Sequence, residues 1–183
     1  LRLAASGLLR ARTELTNRGA GGYAVDSLLL ALPVPAAETQ IIDQSGHHLR
    51  ERAIAFHEFT IGAHDQSVRV ARAHAGSTIH GTCTPGTGWN RGSAHYVHVA
   101  WSGNTRTIAE RNVLGQNALI GGELLMPGEV VLAHGESYAT PWLIATWGEG
   151  LDGAAARVHD YVRTRPNHPT TPRPVTFNAW EAV

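Results

Sequence analysis

Hydrophobic and polar residues alternate with a period of two along most of the chain, which is the pattern of half-buried β-strands. The clearest runs cover residues 9–15 and 95–101. The two faces of the second run carry, respectively, His95, Val97, Val99 and Trp101, and Tyr96, His98 and Ala100. We expect Val97, Val99 and Trp101 to face the core, because they are the apolar members of one face.

Clusters of Gly, Pro and Asn separate these runs at intervals of about 8–12 residues, the spacing that is typical of a β-sandwich. They predict further strands at residues 23–32, 68–72, 105–114, 117–125, 130–132 and 137–147. Residues 23–32 should be a strand buried on both faces and ended by Pro33-Val34-Pro35. The turn at residues 102–104 predicts a hairpin that joins the strands on its two sides. The resulting fold is all-β and antiparallel.

One segment departs from the strand pattern. Residues 154–163 lack Gly and Pro, and their apolar residues recur at helical spacing. Asp152 is the expected N-cap, and Pro166 ends the helix. Residues 166–174 contain four prolines and should form a stiff extended linker. We therefore expect a β-domain over residues 1–150, a helix and linker over 151–174, and the first strand of another domain from Val175 to the end of the sequence.

The composition narrows the classes of protein that remain. The 183 residues are 43% hydrophobic and 16% charged, which suits a domain with a buried core. Fifteen basic and fifteen acidic residues leave no net charge to attract nucleic acid or an acidic membrane surface. No apolar run approaches the roughly 18 residues of a membrane span. Because the sequence starts with Leu and its last residues read as an interrupted strand, we expect a longer parent protein.

Eleven histidines suggest a metal site, but their spacing argues against one. His95 and His98 lie three positions apart in a strand, so they point to opposite faces and cannot share an ion. His47 and His48 lie beside a glycine in a predicted loop, and His57 and His64 show no ligand spacing. We expect solvated or structural histidines, and neither a metal nor another cofactor.

The other reactive side chains carry equally weak signals. The single cysteine, Cys83, excludes an intrachain disulfide and is expected to be a loop or core residue. Most acids, such as Glu51 and Glu110, neighbour an arginine and are expected to form surface ion pairs rather than a catalytic pair. Trp89 lies in a Gly-rich loop at residues 85–92, where it could stack on a sugar or pin the loop to the core.

Seven motifs, taken together and in order, resemble one enzyme family. They are WSGN at 101–104, AER at 109–111, GGELL at 121–125, PGE at 127–129, GESYATPW at 135–142, HDYVR at 159–163 and RPVTFNAWEA at 173–182. In this order and spacing they resemble the α-galactosidases of glycoside hydrolase family 36. The resemblance covers nearly the whole chain.

The resemblance implies a specific fold and place in the parent protein. In this family, an N-terminal β-supersandwich of the galactose-mutarotase type precedes a (β/α)₈ barrel that holds the active site. Residues 1–150 would be the second half of the supersandwich, and residues 175–183 would be the first barrel strand. A complete barrel needs roughly 250 residues, so the chain cannot contain one.

The resemblance also implies the activity of the parent protein. It would be a bacterial, cytoplasmic, homo-oligomeric retaining enzyme that removes terminal α-D-galactose from melibiose, raffinose and similar oligosaccharides. The family's catalytic aspartates lie on later barrel strands, so no catalytic residue is expected here. Trp180 is the expected substrate-binding residue, either filling the barrel interior or lying under the galactose. The alternative is a non-catalytic β-sandwich module that binds carbohydrate or assembles subunits.

Overall fold

The computed structural model describes residues 1–70, 77–177 and 179, which form fifteen strands and one helix. The strands are β1 Arg2–Leu3, β2 Leu9–Ala11, β3 Glu14–Thr16, β4 Tyr23–Ala24, β5 Leu30–Val34, β6 Gln40–His47, β7 Arg50–Glu58, β8 Gly62–Val68, β9 His80–Cys83, β10 Ser93–Val99, β11 Thr105–Arg111, β12 Asn117–Glu123, β13 Val131–Leu132, β14 Ser137–Ala139 and β15 Leu143–Glu149. The helix α1 covers Gly150–Arg163. Among the described residues, no helix has the length and apolar composition needed to cross a membrane.

Two antiparallel sheets form the sandwich, which confirms the predicted all-β fold. The larger sheet has seven strands in the order β1-β2-β15-β10-β9-β6-β7, and the smaller has four in the order β5-β12-β11-β8. Short ribbons pair β4 with β13 and β3 with β14. The core between the sheets takes its side chains from both of them, namely Ile41, Phe59, Val97, Val99, Ala109, Leu119 and Leu143.

The core packs closely because β12 places a glycine between the sheets. A Cβ atom added to Gly121 would lie 2.6 Å from Cδ1 of Leu143 on the opposite sheet. Val97 and Val99 face this core with at most 4% of their surface exposed, as predicted from their parity. The side chain at position 121 therefore has to be absent for Leu143 to reach its place.

The helix covers the other face of the seven-stranded sheet. Its Leu151 joins a second apolar cluster with Ile42, Cys83 and Ala94. The buried hydroxyl of Thr146 on β15 donates a hydrogen bond of 2.7 Å to the carbonyl oxygen of Ala154 on α1. Burial on both faces explains why Tyr96, on the outer face of β10, is only 9% exposed.

The start of α1 corrects the predicted cap. The helix begins at Gly150, its N-cap is Glu149, and no side chain caps it. The N–H groups of Gly150, Leu151 and Asp152 donate instead to the carbonyls of Gly92, Gly88 and Trp89, at 2.7, 3.1 and 2.8 Å. Asp152 is therefore not the N-cap but an exposed residue of the first turn. Its negative charge there interacts favourably with the positive end of the helix dipole. Backbone carbonyls of a neighbouring loop replace the side-chain cap.

The predicted hairpin at residues 102–104 is wrong. The turn exists, but β10 lies in the seven-stranded sheet and β11 in the four-stranded sheet, so the chain crosses between sheets there. β11 pairs with β12 and β8 instead. Trp101 lies beyond the end of β10 with 42% of its surface exposed, so the prediction that it faces the core is also wrong. Its ring packs against Gly103 within the crossing turn.

The predicted strand at residues 23–32 is divided in two. Its first part is the short exposed strand β4, and its second part belongs to β5, which continues through Pro33. Proline is tolerated there because β5 is an edge strand that pairs with β12 alone, so no neighbour needs the missing N–H. The apolar run at residues 23–32 is therefore not one strand buried on both faces.

The predicted strands at residues 9–15 and 137–147 are both interrupted at a single crossing point. The Thr13 N–H donates to Oγ1 of Thr140 at 3.0 Å, and the Thr140 N–H donates to the Thr13 carbonyl at 2.9 Å. On one side of this point β2 pairs with β15, and on the other β3 pairs with β14 in a separate ribbon. The two segments thus leave the large sheet at the same point.

Two further predicted strands lie partly outside the described residues. β8 ends at Val68, residues 69–70 form a bend, and the rest of the predicted 68–72 strand is not described. Residues 172–177 form no strand, and most of the remaining predicted barrel strand is not described. The assignment of residues 175–183 to a barrel stays a prediction.

Candidate functional site

A groove of about 580 Å³ lies between α1 and the outer face of the seven-stranded sheet. We call it the α1 groove. Side chains from β2, β10, β15 and α1 line it, together with Ile79 and four residues close to the ends of these elements. Its polar and aromatic members are Arg10, Tyr96, His98, Trp142, Thr146, His159, Tyr161 and Arg165. Its volume is in the range of small-molecule and peptide sites.

Arg10 lies between two aromatic rings of the groove. Its Cζ atom is 5.1 Å from the ring centres of both Trp142 and Tyr161. Its Nη1 donates a hydrogen bond of 2.6 Å to the Tyr161 hydroxyl, while its Nε is buried and has no hydrogen-bond partner. The guanidinium is therefore held by cation–π contacts and a phenol rather than by a carboxylate.

Further arginines surround the same two rings. Arg2 and Arg12 lie over Trp142, with Cζ 5.4 and 4.9 Å from its ring centre. Arg165 lies over Tyr161 and donates to its hydroxyl at 3.2 Å. The arginine ion pairs of the described chain lie elsewhere, as Arg106–Asp65 and Arg163–Asp160. The groove thus has a concentrated and uncompensated positive charge.

The chemistry of the α1 groove follows from what lines it. No aspartate or glutamate among the described residues does so. Hydrolysis of a glycoside by two carboxylates therefore has no machinery in this groove. The rings of Trp142 and Tyr161 are covered by guanidinium groups, which take the place that a stacked sugar would occupy. The groove is suited to an anionic partner with an apolar body.

Glu38 is the centre of a polar cluster that the sequence reasoning missed. Its side chain is fully buried, and it accepts hydrogen bonds from Thr82 Oγ1 at 2.5 Å and Ser93 Oγ at 2.7 Å. Nδ1 of His95 lies 2.7 Å from the same carboxylate and donates to it. The hydroxyls and the imidazole come from β9 and β10, so the cluster ties the turn before β6 to the large sheet.

A second buried carboxylate, Asp43 on β6, contacts two histidines. Its Oδ2 is 3.0 Å from Nε2 of His57 and 3.3 Å from Nε2 of His64. The ring of His80 lies 5.4 Å from that of His64, and its Nε2 is buried without a partner. Burial, reinforced by the neighbouring His64, lowers the pKa of His80 from 6.5 to about 4. Across residues 1–70, 77–177 and 179, no three His, Cys, Asp or Glu side chains form a group that could hold a metal ion.

The structure separates the remaining histidine candidates. His95 and His98 point to opposite faces of β10, as predicted, with His95 on Glu38 and His98 bound through Nδ1 to the Thr78 carbonyl at 2.7 Å. His47 contacts the carbonyl of His48. His57 and His64 share one partner, the carboxylate of Asp43.

Cys83, Trp89 and Trp180 have different outcomes. Cys83 is a fully buried residue of β9, and burial raises the pKa of its thiol to about 11, which settles it as a core residue. Trp89 is 62% exposed, so it does not pin its loop to the core; backbone bonds to α1 do so instead. Trp180 lies outside the described residues.

The fold and the α1 groove thus define an antiparallel β-sandwich domain with a groove that no described carboxylate lines. Comparisons with known proteins agree with this class. The sequence profile of the glycosyl hydrolase family 36 N-terminal domain matches residues 1–133. An α-galactosidase of Escherichia coli is 30% identical over 97% of this chain and 26% of its own length. The chain therefore belongs to glycoside hydrolase family 36 and corresponds to its N-terminal domain.

Solved structures show the same fold. The α-galactosidase AgaB of Geobacillus stearothermophilus superimposes with a TM-score of 0.77 at 21% identity, over 86% of this chain and 22% of AgaB. The galactosidase domain of the α-galactosidase–sucrose kinase AgaSK gives 0.72 at 20% identity, over 87% of this chain and 22% of that one. An α-galactosidase of Lactobacillus brevis gives 0.70 at 22% identity, over 79% and 20%. The chain spans about a fifth of the length of these solved relatives and about a quarter of the E. coli relative.

Proposed function

We propose that this chain is the non-catalytic N-terminal domain of a longer α-galactosidase that removes terminal α-D-galactose from oligosaccharides such as melibiose and raffinose. The observation that carries the proposal is the family profile, which spans residues 1–133, together with the E. coli relative that aligns over 97% of the chain. The parent enzyme is proposed to be a cytoplasmic homo-oligomer with a (β/α)₈ catalytic barrel after residue 174.

Two further observations support a catalytic site that lies outside this domain. A variant of the Geobacillus enzyme AgaA is known in complex with raffinose, and another in complex with stachyose. The groove of the present domain carries no carboxylate among its described lining residues. The acid/base and the nucleophile of a retaining enzyme, about 5–5.5 Å apart, would then come from the barrel.

The proposal is tested with the complete gene product and with the 183-residue chain. We expect the complete protein to release nitrophenol from a chromogenic α-galactoside, and the 183-residue chain to release none above the buffer rate. A chromogenic β-galactoside serves as the specificity control. Turnover of the α-galactoside by the 183-residue chain, or its absence in the complete protein, would refute the proposal.

We further propose that Trp180 lies against the substrate at the end of the first barrel strand. A ring that stacks on galactose contributes about 1–3 kcal/mol, so Trp180→Ala in the parent enzyme should lower kcat/KM by roughly fivefold or more. The competing reading is interior packing alone. A variant with a lower Tm and an unchanged kcat/KM would establish that reading instead.

The alternative of a carbohydrate-binding or assembly module rests on Trp89, whose indole is 62% exposed at the tip of its loop. Trp142 does not support it, because arginines cover its ring. Calorimetric titration of the 183-residue chain with melibiose, raffinose and galactose would detect such a site. Binding that is lost in Trp89→Ala and kept in Trp101→Ala would favour the module.

A further inference from the structure

We propose that the α1 groove is the surface on which the domain that follows α1 docks, through a segment that combines carboxylates with apolar side chains. The inference rests on the proposed function, because it takes this chain to be followed by a catalytic domain. It assigns an interdomain interface, and the chemistry of the partner segment, to residues that have no catalytic role.

Charge is the first argument. Arg2, Arg10, Arg12 and Arg165 surround two aromatic rings, and no described carboxylate pairs with any of them. The chain as a whole has equal numbers of basic and acidic residues, so this concentration is local. Arginine held against aromatic rings is pre-organised to bind carboxylates in a bidentate way. An acidic segment is the complementary partner.

The apolar surface is the second argument. Val158 and Val162 on α1 face Leu8 and Ile144 across the groove, and Val162 remains 47% exposed. A purely ionic ligand would leave this apolar surface in water. A protein segment with apolar side chains between its carboxylates would bury it and keep the charges at the rim.

The position of the groove is the third argument. Val162 in the last turn of α1 and Arg165, two residues after the helix ends, both line the groove, so the chain continues from α1 beside the groove. A domain attached there is present at an effective concentration in the millimolar range, which favours it over free ligands. The relatives that share this fold continue for about three quarters of their length outside the matched region.

Thiol labelling in the complete parent enzyme tests the proposal. Val162→Cys places a reporter in the groove, and Val113→Cys places a matched reporter in the exposed turn between β11 and β12, where Val113 is 80% exposed. Cys83 is a silent background because it is buried and its pKa is raised to about 11. Cysteines outside residues 1–183 are replaced by serine. We expect the groove reporter to react at least about tenfold more slowly, because labelling requires opening of the interface.

Charge reversal tests the chemistry of the partner. Arg12→Glu with Arg165→Glu should restore fast labelling at position 162, since both side chains are exposed and lie on the groove rings. Arg18→Glu, an exposed arginine outside the groove, should leave the protection unchanged. Equal labelling of the two reporters in the parent enzyme would overturn the interface. Protection that survives the double reversal would overturn its acidic character.

Two other occupants give distinct results with the 183-residue chain. Protection of position 162 that rises with protein concentration would mean that a second copy covers the groove, and protection by inorganic phosphate would mean a small-anion site. Either result overturns the proposal. Activity on the chromogenic α-galactoside is measured on the same parent preparations. A protected groove in an inactive parent refutes the proposed function alone, and an open groove in an active parent refutes the interface alone.

Discussion

The sandwich buries two carboxylates, and they differ in what surrounds them. Glu38 is fully buried, and its two hydroxyl partners and one imidazole come from adjacent strands of the large sheet. Asp43 is 7% exposed and meets two imidazoles whose side chains are 46% and 39% exposed. Both carboxylates contact histidine, but the histidine partners of Asp43 are more exposed to water than His95, whose side chain is 25% exposed.

We infer from this difference that the exposure of the partner side chains determines how much a buried carboxylate contributes to the free energy of unfolding. Removing Glu38 leaves three donors without an acceptor, two of them on buried or half-buried hydroxyls, where the unsatisfied group carries its full desolvation penalty. Removing Asp43 leaves imidazoles that can turn to solvent. We therefore expect two similar carboxylate–histidine contacts to contribute very differently to stability.

Replacing Glu38 should have the largest effect. We expect Glu38→Leu to lower the free energy of unfolding by about 3–5 kcal/mol, because it removes one partner of a buried charged network. Urea denaturation followed by tryptophan fluorescence measures it. Glu110→Leu, at an exposed acid of β11, is the control and should cost no more than about 0.5 kcal/mol. A loss below about 1 kcal/mol for Glu38→Leu would remove the contrast between the two carboxylates.

Acid should weaken the Asp43 cluster through His80. Because the pKa of His80 is about 4 in the folded chain and ordinarily 6.5, the folded state disfavours the proton. The contribution is fully present above pH 6.5 and is lost as the pH falls from 6.5 to 4, a change of about 3 kcal/mol. Urea unfolding across this range should show a steeper loss for the native chain than for His80→Gln. His134→Gln, at an exposed position, should follow the native chain, and parallel curves for all three would contradict the assignment.

The pair between Asp43 and His57 should contribute less. We expect Asp43→Asn to cost about 1 kcal/mol at neutral pH, because its partners are half-exposed and can be hydrated. A double-mutant cycle with His57→Gln measures the coupling, which should stay below about 1 kcal/mol. A coupling as large as the loss in Glu38→Leu would show that partner exposure does not govern these pairs.

The smallest effect belongs to an exposed pair. The hydrogen bond from Arg106 lowers the pKa of Asp65, which would stabilise the fold above its ordinary pKa of 3.8 and lose that effect as the pH falls below it. Both side chains are about one third exposed, so water screens their interaction. We therefore expect Asp65→Asn to lower the free energy of unfolding by about 0.5 kcal/mol. Thermal unfolding of Asp65→Asn at pH 7 in low and high salt tests this expectation. A cost above about 1 kcal/mol would show that exposure of both side chains does not make the pair weak.

The sequence predicted those features that depend on local periodicity. The parity of residues 95–99 placed Val97 and Val99 in the core, and the absence of Gly and Pro in residues 154–163 located most of α1. The crossing of Thr13 with Thr140 could not be predicted in this way, because strand alternation continues through a point where partners change. Local pattern reports which face is buried and not which strand lies alongside.

The sites escaped prediction for a related reason. Glu38 follows Pro35-Ala36-Ala37 and reads as a surface acid, and its burial depends on donors 44 to 57 positions away. Arg10 meets Tyr161 across 151 positions, so neither residue carries a local sign of the contact. Resemblance to a family supplied the fold and the proposed activity, while these long-range clusters needed coordinates.

The carbonyls that satisfy the start of α1 have a consequence for the rest of the polypeptide. Gly150 has φ +64°, and a Cβ atom there would lie 2.3 Å from the Trp89 carbonyl oxygen, so the loop and the helix fit together in one orientation. The contacts between this loop and the first turn of α1 fix the direction of the helix relative to the sandwich. A domain fused after residue 163, including a catalytic domain from another protein, would therefore start in the direction set by α1. Gly150→Ala alone should loosen this orientation.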